Sequence, residues 1–134
     1  MIKGFDHIGL VVKNTEETKR ILSALFDYKK VEKQTFPEQG FSSTLISSGK
    51  TTIELIEPVG AEGVIQRFVE KNGYGLHHIS LSVNDIEDKM KILSERGAKV
   101  LGERPQKITE TSRIAFLHPE TTGGLLIELI ERTP

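Results

Sequence analysis

Apolar and polar residues alternate in short runs along this chain, and the order of those runs occurs twice. In the first half, the alternation predicts strands at about residues 5–12, 30–35, 41–48 and 51–56. The helical spacing of Ile21, Leu22 and Leu25 predicts a helix at residues 15–26. In the second half, the same patterns predict a helix at residues 86–96 and strands at about residues 78–83, 99–101, 113–117 and 125–130. A further helix at residues 64–71 is predicted to connect the halves.

Short stretches of similar sequence recur at a nearly constant offset and indicate an internal duplication. The stretch DHIGLVV at residues 6–12 returns as HHISLSV at residues 77–83, an offset of 71 residues. The stretch IELIE at residues 53–57 returns at residues 127–131, an offset of 74 residues that loop-length changes would explain. The chain is therefore predicted to contain two copies of one βαβββ unit.

A βαβββ unit has one sheet face covered by its helix and one face left over. Pairing two such units predicts an α+β fold, in which two fused modules form a curved mixed sheet with a cleft on the uncovered face. We expect modules at about residues 1–60 and 74–134 within a single domain that spans residues 1–134.

Strand parity separates the residues of the predicted core face from those of the cleft. Apolar residues at positions 8, 10 and 12 form the expected core face of the first strand, which places His7 on the cleft side. In the repeated strand the apolar set begins at Ile79, so parity selects His78 rather than His77. In the two IELIE stretches the same argument places Glu54 and Glu128 on the cleft face.

These four residues have the chemistry of a metal site. A carboxylate inside an apolar strand is costly to desolvate unless it is paired or bound to a cation. Two imidazoles and two carboxylates at repeat-related positions suit zinc, nickel, cobalt or manganese, with coordination positions left for water or substrate. The sequence predicts one divalent metal ion held by His7, Glu54, His78 and Glu128.

Composition narrows the classes of partner. Eighteen basic and 19 acidic residues give a net charge of -1 without long same-sign blocks, so no nucleic-acid or anionic-membrane footprint is present. The chain has no cysteine, which excludes thiolate ligands and cysteine nucleophiles. No apolar run reaches the length of a membrane span and no signal segment is visible, so a cytoplasmic location and a small-molecule partner are expected.

Several motifs resemble the vicinal-oxygen-chelate superfamily, whose members pair two βαβββ modules around a divalent metal. The motifs are FDHIGLVV at residues 5–12, PEQG at 37–40, GLHHI at 75–79, FLHP at 116–119 and GLLIEL at 124–129. Within the superfamily they are most similar to the methylmalonyl-CoA epimerases. The metal positions of the family fall on His7, Glu54, His78 and Glu128.

That resemblance implies a metal-dependent epimerase acting on an acyl-CoA thioester. The reaction would proceed by α-proton abstraction and a metal-stabilised enolate, with Glu128 as both ligand and base. The resemblance also implies a homodimer. Two further residues become candidates for substrate binding: Ser43, and Arg113, which is similar in position to a family segment and could equally form a surface ion pair.

The chain departs from the epimerase pattern at the second base. Several epimerases have glutamate where this chain has Ser43, and a serine without a partner base is a poor proton acceptor. Glu38 and Glu57 are available carboxylates, and nothing in the sequence selects either. The second base is left unassigned.

Two other functions compete with epimerase activity. Glyoxalase I, the lactoylglutathione lyase of the same superfamily, favours in bacteria the His, Glu, His, Glu ligand set found here, whereas several epimerases have glutamine at the position of Glu54. Against that reading, residues 118–124 lack the Asp-Pro-Asp-Gly type of turn often found in glyoxalases. Some superfamily members bind small molecules without catalysis, but these usually lack the full ligand set.

Overall fold

The computed structural model describes residues 2–25 and 27–134, and within that range it has eight strands and three helices. In chain order these are β1 (Ile2–Val11), α1 (Thr15–Leu22), β2 (Lys30–Phe36), β3 (Phe41–Ser48), β4 (Thr51–Pro58), α2 (Val64–Asn72), β5 (Gly75–Val83), α3 (Ile86–Glu95), β6 (Val100–Thr109), β7 (Ser112–Leu117) and β8 (Ile127–Arg132). The α+β class and the repeated βαβββ order are confirmed. The first helix was predicted to end at residue 26, but α1 ends at Leu22. The predicted last residue, Phe26, lies outside the described residues.

The chain divides into two compact units. The first unit is His7–His77, and the second comprises residues 2–6 together with His78–Pro134. In the first unit the strand order is β2-β3-β4-β1, and in the second it is β5-β8-β7-β6. The pairs β1·β4 and β5·β8 are parallel and the other pairs are antiparallel, so each unit has the predicted mixed sheet.

The second glutamate of each IELIE stretch anchors the start of a helix. Glu57 accepts a hydrogen bond from the backbone N–H of Thr15 at 2.6 Å, and Glu131 accepts one from Ile86 at 3.0 Å. Both carboxylates meet the unpaired N–H groups and the positive dipole end of a helix. Because successive strand residues alternate between faces, this role leaves Glu54 and Glu128 on the opposite face of the sheet.

The core of the first unit differs from the parity prediction in two respects. Val12 packs with Ile46 and Leu55 on the α1 side as expected, but Ile8, predicted to belong to that core, is 42% exposed. The face predicted to be uncovered carries a second cluster, in which Val11 packs with Ile56, and with Ile65 of α2. The connecting helix covers this face in part because its own apolar stripe needs a partner.

In the second unit a buried apolar cluster lies on the α3 side of the sheet. Leu129 of β8 and Ala115 of β7 pack there with Ile86 and Met90 of α3. Glu128 precedes Leu129 and therefore lies on the other face, as predicted. The helix and the buried carboxylate thus lie on opposite faces of β8.

Candidate metal centre

The first half-site consists of His7, Ser43 and Glu54, all within the first unit. The pairing of Gly9 with Glu54 brings the parallel strands β1 and β4 together at this level. His7 is 6% exposed, and its Nε2 lies 3.4 Å from Oε1 of Glu54. The other carboxylate oxygen, Oε2, accepts a hydrogen bond from the Ser43 hydroxyl at 2.6 Å.

The second half-site consists of His78, Ser80 and Glu128, all within the second unit. Nε2 of His78 lies 3.8 Å from Oε2 of Glu128, and both residues are buried. The hydroxyl of Ser80 donates to Oε1 of Glu128 at 2.7 Å, a contact between directly paired residues of the parallel strands β5 and β8. The ring of Phe116 meets the His78 imidazole edge-on, with centroids 6.3 Å apart.

The two half-sites have equivalent imidazoles and carboxylates, but their hydroxyls come from different strands. Ser80 pairs with Glu128 where the first unit pairs Gly9 with Glu54, and Gly9 has no side chain to donate a bond. Ser43 of β3 supplies that bond instead. At the repeat-related place in β7 the second unit has Ile114, so the serine that donates to the carboxylate comes from a different strand in each half-site.

In each half-site the imidazole nitrogen and the nearer carboxylate oxygen are spaced about as two ligands of one metal ion would be. Nitrogen and oxygen ligands lie about 2.0–2.2 Å from zinc, so two ligands of one tetrahedral ion are about 3.3–3.6 Å apart. The separation of 3.4 Å between His7 and Glu54 falls within this range, and that of 3.8 Å between His78 and Glu128 exceeds it slightly. Each carboxylate has one oxygen occupied by serine and one directed at the imidazole, as in a monodentate ligand steadied by a neighbouring hydrogen bond.

The structure also shows the surroundings of the three residues considered for the second base. Ser43 does have a carboxylate partner, Glu54, which sequence reasoning did not identify because the contact joins neighbouring strands. Glu57 is committed to the start of α1. Glu38 lies exposed in the turn between β2 and β3. Glu54 is itself a predicted metal ligand, Glu57 bonds to a helix start and Glu38 is exposed. None of the three is therefore assigned as the second base.

His77 has surroundings different from those of His78. Its ring meets Phe68 of α2 edge-on, with centroids 4.8 Å apart, and it is only half-buried. This agrees with the parity argument that only one of the two adjacent histidines shares a face with Glu128.

Arg113 forms ion pairs with two carboxylates. It pairs in register with Glu131 of β8, and its guanidinium also bonds to Glu87 of α3. This places it on the α3 side of the sheet with Ala115, opposite the face of Glu128. The ion pair considered from the sequence is therefore present, and a role in substrate binding stays an untested prediction.

The same cluster makes one contribution to stability depend on pH. The bonds from Arg113, followed by those from the start of α3, hold the pKa of Glu131 below its ordinary value of 4.5, and the two carboxylates raise the pKa of Arg113. A lowered carboxyl pKa stabilises the fold above the ordinary value, and this contribution is lost as the pH falls through the folded-state pKa. Glu131→Gln should therefore lower the thermal midpoint by a few degrees at neutral pH and by less in acid. Melting curves from about pH 7 to pH 3 test this, and an unchanged difference between variant and wild type would contradict it.

Among the described residues, no helix has the length and apolar character that crossing a membrane requires.

Known proteins match nearly the whole chain. A profile described as the Glyoxalase/Bleomycin resistance protein/Dioxygenase superfamily matches residues 6–116. The ethylmalonyl-CoA/methylmalonyl-CoA epimerase of Cereibacter sphaeroides is 34% identical over 131 residues, which cover 96% of this chain and 98% of that protein.

Two solved structures extend the comparison to three dimensions. The methylmalonyl-CoA epimerase of Mycobacterium tuberculosis superposes with a TM-score of 0.88 at 28% identity, covering 99% of this chain and 90% of that one. A methylmalonyl-CoA epimerase in complex with methylmalonyl-CoA and NH4+ superposes with a TM-score of 0.86 at 26% identity, covering 100% of both chains. These similarities agree with the repeated βαβββ order.

Proposed function

Because the chain belongs to the glyoxalase/bleomycin resistance protein/dioxygenase superfamily, we propose that it is a metal-dependent epimerase of acyl-CoA thioesters. The substrate would be methylmalonyl-CoA or a close analogue. The observation that carries this proposal is the pair of half-sites, each with a buried imidazole beside a carboxylate at repeat-related positions. The related epimerases, one of them solved with methylmalonyl-CoA, support the substrate class.

In this proposal His7, Glu54, His78 and Glu128 together hold one divalent ion. Cobalt, nickel, zinc and manganese all suit two nitrogen and two oxygen donors. When bound, the ion would supply electrostatic stabilisation of the negative charge that develops when the α-proton leaves.

Glu128 is the proposed base. Its Oε1 accepts the hydrogen bond from Ser80, and its Oε2 would take the α-proton as the carbon–hydrogen bond breaks. Burial of this carboxylate limits the access of water to the proton that it takes. Return of a proton to the opposite side of the same carbon would complete epimerisation, and the group that delivers it is unassigned.

A lactoylglutathione lyase is the second candidate function. The observation that favours it is Glu54, a carboxylate where several epimerases have glutamine, held in place by Ser43. Such an enzyme would also remove a carbon-bound proton, in this case moving it between two adjacent carbons of a hemithioacetal. The fold and the proposed ligands are the same for both activities, so only the substrate separates them.

Two assays on one metal-loaded sample separate these candidates. The epimerase proposal expects deuterium from heavy water to enter the α-position of methylmalonyl-CoA. A lyase would instead convert the hemithioacetal of methylglyoxal and glutathione to lactoylglutathione, which is followed by its ultraviolet absorbance. Lactoylglutathione formation without deuterium entering methylmalonyl-CoA would overturn the epimerase proposal and leave the metal site in place. A metal-dependent melting shift with activity in neither assay would support a non-catalytic binding protein.

The contact between Ser43 and Glu54 changes how a second base can be introduced. Ser43→Glu alone would place two carboxylates next to each other, which raises the pKa of one of them and removes the hydroxyl that donates to Glu54. The double change Ser43→Glu with Glu54→Gln avoids this, because an amide can donate to the new carboxylate. We expect the double variant to raise epimerisation relative to deuterium exchange by about tenfold or more, a modest share of what a general base contributes.

The measurement for this pair of variants is the ratio of stereochemical inversion to isotope exchange. It is taken on the wild type, on each single variant and on the double variant, with metal content determined for each. If Ser43→Glu alone equals the double variant, the repulsion argument is wrong.

Two other predictions stay open. A homodimer follows only from the family resemblance, and a cytoplasmic location only from the sequence. Sedimentation of the metal-loaded protein would test the first.

A further inference from the structure

The hydroxyl of Ser80 is fully buried and donates to a carboxylate of the neighbouring strand. Its residue is 0% exposed, and its Oγ lies 2.7 Å from Oε1 of Glu128. Ser80 and Glu128 are directly paired between β5 and β8, so the backbone itself fixes the hydroxyl opposite the carboxylate. A hydroxyl has one proton to give, and here it is given to one oxygen of Glu128.

A carboxylate that serves first as a ligand and then as a base needs a second attachment. The glutamate side chain has three rotatable bonds, and a base must stay within hydrogen-bond reach of the proton that it takes. When Oε2 takes the α-proton, the bond from Ser80 to Oε1 would still hold the carboxylate. The hydrogen bond therefore fixes the reactive oxygen in both stages.

The first half-site provides an internal comparison. There Gly9 occupies the place of Ser80, and the hydroxyl comes from Ser43 on the neighbouring strand β3. Glu54 thus lacks a donor from its directly paired residue in β1, and Glu54 has only a ligand role in the proposed function. The directly paired donor occurs at the one carboxylate to which the proposed function assigns proton transfer.

We propose that Ser80 is a positioning residue, which holds Glu128 in the orientation for α-proton abstraction. This inference rests on the proposed function. Ser80→Ala should lower kcat for deuterium exchange into methylmalonyl-CoA by about tenfold to a hundredfold at saturating metal, the usual effect of losing a partner that orients a ligand. KM should stay within about threefold of the wild type, because Ser80 contacts the base and not the substrate.

A matched control separates this role from the general loss of a strand hydroxyl. Ser47 shares a hydrogen bond with Thr52 at 3.1 Å between β3 and β4, so its partner is a hydroxyl and not a carboxylate. Ser47→Ala removes the same group from a partly buried strand position and should leave kcat unchanged. Metal affinity of each variant is measured by competition with a chromophoric chelator, and melting curves report on folding. The metal dissociation constant of Ser80→Ala should change by less than its kcat.

The outcomes are distinguishable. If wild type exchanges deuterium and Ser80→Ala matches Ser47→Ala in kcat, the positioning role is wrong while the proposed function stands. If Ser80→Ala loses rate at limiting metal but matches the wild type at saturating metal, Ser80 acts on metal affinity alone and the inference is overturned. If the wild type exchanges no deuterium at all, the proposed function fails and the role of Ser80 fails with it.

Discussion

Glu128→Gln is expected to lower the rate of α-proton exchange by about two to four orders of magnitude, the usual scale for losing a general base. The amide keeps the size of the side chain and one oxygen donor, but it cannot accept the α-proton. Ser80 can still donate to the amide oxygen, so the side chain should remain in place. Metal binding should weaken less than turnover. Rates are measured in heavy water at saturating metal.

The repeat supplies a control for this variant. Glu54→Gln changes the equivalent carboxylate of the first half-site, which has the same relation to an imidazole and a serine. Its effect should fall mainly on metal affinity, with a smaller loss of rate once metal is saturating. Near-normal turnover of Glu128→Gln, with its metal content verified, would remove Glu128 from the mechanism.

His78→Ala is expected to abolish stoichiometric metal binding while leaving a folded domain. The variant removes one of four proposed ligands and leaves a buried carboxylate without its imidazole neighbour. The apolar cluster around Leu129 and α3 is untouched, so the metal-free variant should still fold, with a melting midpoint lowered by the loss of a buried side chain. Metal content per chain is measured by elemental analysis after gel filtration.

His77→Ala is the matched control, since it removes an imidazole one residue away. His77 packs against Phe68 and its loss should cost some stability without removing metal. Metal retained in His78→Ala and lost in His77→Ala would show that the assignment by strand parity is reversed.

Much of this fold could be predicted because of the duplication: most strands and helices have a copy with a similar hydrophobic pattern in the other half of the chain. The words DHIGLVV and IELIE mark the strands that carry the proposed ligands, and alternation within them selects the residues of one face. Each unit places one imidazole beside one carboxylate, as that parity requires. Which residues share a face is a local property of a strand, so the sequence contains it.

Which element packs over a sheet face depends on residues that are distant in the sequence, and this part of the fold was not predicted. Alternation could not show that α2 returns onto Val11 and Ile56, or that Ile8 is left exposed. The hydrogen bonds from Ser43 to Glu54 and from Ser80 to Glu128 were not predicted either, because each joins two different strands. Ser80 could have been found only from the register that pairs it with Glu128.

Strand β6 shows a different limit. The sequence predicts a short strand at residues 99–101, since Gly102 and Pro105 interrupt the alternation, yet β6 spans Val100–Thr109. Its pairing with β7 jumps from Leu101 to Gln106, which accommodates both interrupting residues in a bulge. As the last strand in the order of its unit, β6 tolerates a proline that an inner strand would exclude.

The most direct test of the central claim is deuterium exchange into methylmalonyl-CoA during a metal titration of the metal-free protein. The claim is that one divalent ion held by both half-sites assists proton removal by Glu128. Exchange should rise in proportion to bound metal, reach its maximum at about one ion per chain, as a single mononuclear site requires, and disappear when a chelator removes the ion. Full exchange by the metal-free protein, or no exchange at any metal content, would contradict the account.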